Sequence, residues 1–205
     1  MTKNIHVEYD ILSLGELLKR SEIEYKLNIP SVWPTGIREF SNCVFFFVTL
    51  DKTDKIEIHK YNDFFEERIF YWESQKRQSE FDPLLQKIKN EQISPILFIR
   101  ILGNDKFTFL GKLKYVSHDK NTSNPVQFSF LINDFTTLNL LPQYRNNIEK
   151  ILSFKTGQST TSYHFKKNSR LQKIVLASDI IKKYSEGLSS EEILIHSQEL
   201  IDTIK

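Results

Sequence analysis

The residues Val44–Leu50 read Val-Phe-Phe-Phe-Val-Thr-Leu, and this run constrains the fold more than any other part of the chain. An uncharged stretch this short, rich in Phe and β-branched Val, has the length and composition of a buried strand. Ile69–Ser74 and Ile96–Leu102 share its character. Phe107–Ser117 alternates instead, with Phe107, Phe109, Leu113 and Tyr115 on one face and Thr108, Lys112 and Lys114 on the other. Val126–Ile132 repeats that period, placing Val126, Phe128, Phe130 and Ile132 together. Gly103-Asn104-Asp105 is a hairpin signal between two of these strands. The chain has 205 residues, of which 16 are Phe, 8 Tyr and 2 Trp, enough to fill a core and to exclude disorder throughout.

Several aromatic strands separated by short turns predict an α+β domain with a curved sheet or small β-barrel over residues 1–135. Helical spacing of Leu14, Leu17 and Leu18 predicts a short helix over Ile11–Arg20, and Ile29–Asn42, with two prolines and a glycine around Trp33, reads as a loop. Phe81–Asn90 is expected to be a helix inserted between strands. Residues 136–205 are expected to form a helical, partly basic extension, with helices near Gln143–Leu152, Ser169–Tyr184 and Ser190–Ile204 and a polar linker at Thr156–Ser162. Ser189 with Glu192 forms the capping box that would start the last helix.

Charge is spread unevenly. The net charge of +2 conceals a block from Lys150 to Tyr184 with eight basic residues and one acid, Asp179, followed by a tail with five acids and one lysine. Such a block is the footprint of a polyanion binder, because each phosphate contact releases condensed counterions. A solvated lysine-rich helix face produces the same count. No apolar run approaches the roughly 20 residues that span a bilayer, so a cytoplasmic protein without a membrane partner is expected.

Catalytic signatures are missing from the sequence pattern. There is no phosphate-binding Gly-x-x-x-x-Gly-Lys-Ser/Thr loop. His164-Phe165-Lys166 and His118-Asp119-Lys120 begin like the phospholipase-D-type nuclease motif, but the required Asp positions hold Leu171 and Pro125. The five histidines are scattered, and the single Cys43 can form neither an internal disulfide nor a thiolate zinc site. No catalytic residue, metal ligand or cofactor is therefore assigned.

Phe70-Tyr71-Trp72-Glu73-Ser74-Gln75-Lys76-Arg77 stands out because three aromatics run into a polar, basic turn. Aromatic faces stack on bases, while Gln and Arg have the donor geometry to read base edges or clamp phosphates. Strand aromatics mostly fill cores, and the reading of Trp72 leans that way. The polar half, Ser74, Gln75, Lys76 and Arg77, has no equivalent core role.

The blocks Phe46–Lys52, Lys60–Phe65, Phe70–Gln75, Ile96–Arg100, Phe107–Gly111 and Pro125–Phe130, taken in order, resemble an uncharacterised domain family found at the C-terminal end of bacterial helicase-like and phospholipase-D-containing restriction proteins. The resemblance runs from roughly Ile11 to Ile132. It implies a β-barrel of the PUA/SRA-like or B3-like kind that reads target DNA, modified DNA included, for a nuclease or helicase partner carried on another domain or chain. It adds weight to Trp72, Ser74, Gln75, Phe109, Leu110 and Gly111.

The expected function is a DNA-binding specificity module of a restriction or defence system, with double-stranded DNA as its partner. Trp72, Ser74, Gln75, Lys76 and Arg77 would read, and Lys166, Lys167 and Arg170 would hold phosphates. Two other readings fit the same residues: a protein–protein scaffold of a defence complex, and a divergent metal-dependent nuclease. The basic block carries a direct test. Reversing Lys166, Lys167 and Arg170 to Glu is expected to weaken binding to all duplexes alike and to flatten the salt dependence by about one log–log unit per lost contact. Titrations across a salt series check this, and an unchanged slope refutes it.

Overall fold

The chain divides into two compact units, Met1–Gly157 and Gln158–Lys205. The computed structural model describes, within the first, residues 3–31, 35–53, 61–66, 68–120, 122–132 and 141–154. The helices and linker expected beyond Phe154, and with them Lys166, Lys167 and Arg170, lie outside the described residues.

The unit is built on a mixed sheet of eight strands: β1 (Leu17–Leu18), β2 (Ile37–Glu39), β3 (Cys43–Thr49), β4 (Phe64–Glu66), β5 (Ile69–Glu73), β6 (Ser94–Arg100), β7 (Phe107–His118) and β8 (Gln127–Ile132). Their order is β2-β3-β6-β7-β8-β5-β4, with β1 pairing on β7. Among the described strands only β3 and β6 run parallel, in a seven-residue register from Cys43↔Ser94 to Thr49↔Arg100. Between them the chain makes the β4–β5 hairpin and the helix α2 (Pro83–Lys89), as a parallel connection demands a long crossover. Asp82 caps α2 by accepting the Leu84 N–H at 3.1 Å, with Pro83 in the first turn.

The apolar run in β3 is buried on both faces. Val44, Phe46 and Val48 enter one core cluster. Cys43, Phe45 and Phe47 enter a second, roofed by Ile23 and Leu27 of the helix α1 (Arg20–Lys26) and its C-cap. Burial pushes the Cys43 thiol up to about 12, so it behaves as a small apolar filler.

β7 is where the sheet bends. Its first half pairs with β6 and its second half with β8, and a bulge interrupts the ladder at Leu110–Gly111. Gly111 has φ +74°, a left-handed conformation that side chains resist. The extra residue flips the alternation, so Phe107 and Phe109 face the α1 side while Leu110 and Leu113 face the opposite core. The single apolar face expected along this strand is thus divided between two cores.

The sheet curls far enough to bring β5 against β3. Trp72 of β5 stacks on Phe46 of β3 with ring centroids 4.4 Å apart and planes 13° from parallel, although three strands separate them in the sheet. Phe128 and Phe130 pack on the indole at 5.9 and 6.2 Å. Of the two forms expected, the sheet is the curved one and does not close into a barrel. The sheet remains open among the described strands because its two edges, β2 and β4, are three residues each, too short to zip into a ladder across the gap.

The helix expected over Ile11–Arg20 is replaced by a 3-10 turn at Tyr9–Ile11 and by β1. Gly15, at φ +81°, breaks the helical path, its N–H donating to the Phe109 carbonyl at 2.8 Å while the Phe109 N–H donates to Glu16 O at 3.0 Å. A Cβ on Gly15 would lie 2.7 Å from Tyr144, where the helix α3 (Arg145–Ser153) approaches and Asn147 Nδ2 donates to the Gly15 carbonyl at 2.8 Å. Ile148 and Ile151 of α3 enter the inner core, so this helix belongs to the same packed unit as the sheet. The loop expected over Ile29–Asn42 contains β2. No helix among the described residues is long and apolar enough to cross a membrane.

Trp72 is buried at 4% exposure. Trp72→Ala is expected to lower the unfolding free energy by about 3–5 kcal/mol, measured by urea denaturation. A loss within about 0.5 kcal/mol, the range of surface substitutions, would contradict its place in the core.

Candidate nucleic-acid interface

Where the ends of β3 and β5 come together, the curl leaves a cleft of about 830 Å3, lined by Thr35, Gly36, Phe47, Thr49, Lys52, Tyr61, Asp63, Trp72, Glu73, Gln75, Lys76 and Arg77 among others. Four of the residues singled out from the sequence, Trp72, Gln75, Lys76 and Arg77, therefore meet at one opening. Trp72 contributes an edge of a ring that is otherwise core.

Ser74 holds the turn in place. It is fully enclosed; its Oγ accepts the Val126 N–H at 2.9 Å, and its own N–H donates to the Val126 carbonyl at 2.9 Å. The turn closes on itself, with the Gln75 N–H donating to Gln78 Oε1 at 3.0 Å and the Gln78 N–H to the Gln75 carbonyl at 2.8 Å. Its far end is tied down by Glu80, whose carboxylate lies 3.0 Å from His118 Nε2, while His118 Nδ1 lies 2.7 Å from the Tyr115 hydroxyl. Gln75 and Arg77 are exposed, and neither side chain makes a hydrogen bond to another described residue. The turn is fixed by Ser74, Gln78 and Glu80, leaving Gln75 and Arg77 available for a ligand.

The opposite wall is a network that the sequence pattern did not single out. Lys52 Nζ donates to Asp63 at 2.5 Å and to the Tyr61 carbonyl at 2.7 Å, with both members of the pair under a tenth exposed. Asp63 Oδ1 accepts the Glu73 N–H at 3.0 Å, and Glu73 Oε2 accepts the Asn62 N–H at 2.9 Å. A buried ion pair is tolerable only when its remaining valences are used in this way. The network joins the segment after β3, the start of β4 and the end of β5. Burial, opposed by the Asn62 N–H and aided by the Asp63 charge, raises the Glu73 carboxyl above its ordinary value. The only earlier signal was indirect: Lys52, Asp63 and Glu73 each fall within a block quoted for the family resemblance.

The other two residues that resemblance stressed, with the glycine beside them, build the fold. Phe109 and Leu110 are buried on opposite sides of the sheet, and Gly111 forms the bulge. Among the described residues no group of three or more His, Cys, Asp or Glu is placed to hold a metal ion.

The chain thus carries an α+β domain with one open, curled mixed sheet and a cleft at the end of the curl. It belongs to the family described as Domain of unknown function (DUF3427), whose model matches residues 12–135, from before β1 to just past β8. No curated protein matches it.

The raised Glu73 gives a pH prediction. A carboxyl with a higher pKa in the folded than in the unfolded chain stabilises fully below the unfolded value and loses that contribution as pH rises through the folded one. Glu73→Gln, which keeps an acceptor for the Asn62 N–H, should melt higher than wild type at pH 7. The difference should vanish below the ordinary carboxyl value of 4.5. Thermal melts from pH 4 to pH 8 measure it; a variant less stable at pH 7 refutes the assignment.

Proposed function

We propose that this chain is a non-catalytic DNA-reading module in which the turn Gln75–Arg77 reads base edges at the mouth of the cleft. The observation that carries this reading is the pairing of a fixed backbone with free side chains. The Gln75 and Arg77 side chains have no partner among the described residues and stand at the rim of a concavity also lined by Phe47, Tyr61 and Trp72. Arg and Gln side chains on a fixed backbone can make bidentate contacts to guanine and adenine, and exposed aromatic surface offers stacking to a base. A cleft of this size also suits a flipped base, whose extrusion costs a few kcal/mol to be repaid inside the pocket. On this reading the module acts as PUA/SRA-like or B3-like readers do, with modified double-stranded DNA in a restriction or defence system as its target. Lys166, Lys167 and Arg170 supply phosphate contacts, and a nuclease or helicase on another domain or chain does the chemistry.

The nuclease alternative draws less support from the cleft. Its two carboxylates, Asp63 and Glu73, are occupied by Lys52 and by backbone N–H groups, an arrangement that braces loops.

Gln75→Ala and Arg77→Ala are each expected to reduce discrimination between preferred and non-preferred duplexes by about 1–3 kcal/mol. Stability should change by no more than about 0.5 kcal/mol. Titrations against otherwise identical modified and unmodified duplexes, with paired thermal melts, test this. If both variants keep wild-type discrimination, the reading turn is wrong.

A further inference from the structure

Two arginines beside the cleft are left without carboxylate partners in a protein that pairs a third with care. Arg38 is buried against Glu24 at 3.1 Å, and its Nη2 donates to the Pro30 carbonyl. Arg20, the first residue of α1, has its guanidinium carbon 3.8 Å from the Phe47 ring centroid and 5.9 Å from that of Phe107. Its Nη2 donates to the Thr35 carbonyl at 3.0 Å, while its Nη1 is buried with no partner. Arg100, the last residue of β6, lies 4.4 Å from the Phe107 centroid; its Nε donates to Thr49 Oγ1 at 3.0 Å and its Nη1 to the Asp105 carbonyl at 3.3 Å.

Both guanidiniums therefore bond only to neutral oxygens and both contact the Phe107 ring. Neither has a carboxylate within ion-pair distance among the described residues. The nearest acids are already engaged: Glu24 pairs with Arg38, and Asp105 Oδ2 accepts the Leu102 N–H. Burial, opposed by the Glu24 charge and aided by those of Arg100 and Arg38, lowers the Arg20 guanidinium to about 10, and it stays charged at neutral pH. Two partly desolvated like charges gathered around one aromatic ring favour an anion, and a guanidinium fork matches the oxygens of a phosphate. Thr35, Phe47 and Thr49, which hold these arginines, also line the cleft.

We infer that Arg20 and Arg100 together form a phosphate site on the cleft rim, which takes a backbone phosphodiester beside the nucleotide presented to Gln75 and Arg77. The inference rests on the DNA-reading proposal for the identity of the phosphate's carrier, but the anion site itself does not.

The test uses the full chain as wild type, Arg20→Gln, Arg100→Gln and the double variant. Lys87→Gln, an exposed cation paired with Glu39, is the charge-loss control. Against a DNA duplex, each arginine variant is expected to lose at least about tenfold in affinity at low salt and to flatten the salt slope by about one unit, while Lys87→Gln stays near wild type. In a second arm, inorganic phosphate at constant ionic strength should raise the Tm of wild type and not of the double variant. Wild-type affinity and slope in the arginine variants would overturn the inference. If wild type binds no duplex, the reading-module proposal fails; the phosphate arm then decides, a Tm rise lost in the double variant supporting the anion site and no rise refuting it. Should a Gln variant fail to fold, Arg20→Lys and Arg100→Lys take its place. They keep the charge and should keep the salt slope while losing affinity with the planar fork, and unchanged affinity would overturn the site.

Discussion

The stacking of Trp72 on Phe46 ties the two ends of the sheet together. A stacked aromatic pair adds about 0.5–1.5 kcal/mol beyond the area it buries, but its position matters more than its energy. It joins β5 to β3 across the inside of the curl, so the segment leaving β3 and the turn leaving β5 must face each other. The cleft follows from that closure. The Leu110–Gly111 bulge makes the closure possible, because it re-aims β7 and lets one strand serve two half-sheets.

Around the cleft, rigidity and availability are divided between residues. Ser74, Asp63, Lys52 and Glu73 have their polar atoms committed to the backbone or to one another. The Gln75 and Arg77 side chains have none committed among the described residues, and Arg20 and Arg100 bond there to neutral oxygens alone, with Arg20 Nη1 left over. A site assembled this way fixes the backbone that carries the donors, so only side-chain ordering remains to be done on binding.

The sequence made the strands legible where burial was complete. Val44–Leu50 reads as continuous because two cores claim alternate residues, and Phe128 and Phe130 keep period two because only one face of β8 joins a core. It misled at Phe107–Tyr115, where a bulge marked only by Gly111 transfers the apolar face from one core to the other. It misled again at Leu14, Leu17 and Leu18, whose helical spacing yielded to Gly15 and to pairing with β7. The turn at the mouth of the cleft, Gln75–Arg77, was legible as a polar, basic segment since its residues are contiguous. The Lys52–Asp63–Glu73 brace and the Arg20–Arg100 pair were not, because only the curl and the β3–β6 pairing bring those distant residues together.

The central claim is that the cleft rim is the surface that meets DNA. An NMR titration of the isotope-labelled chain with a short duplex tests it most directly, followed through the Gln75 side-chain amide, the Arg77 guanidinium and the Trp72 indole N–H, assigned with Trp72→Phe. The account predicts that these signals shift or broaden first and saturate together, with the Lys87 region unmoved. Saturable binding that leaves all three unchanged while other surfaces respond would contradict it.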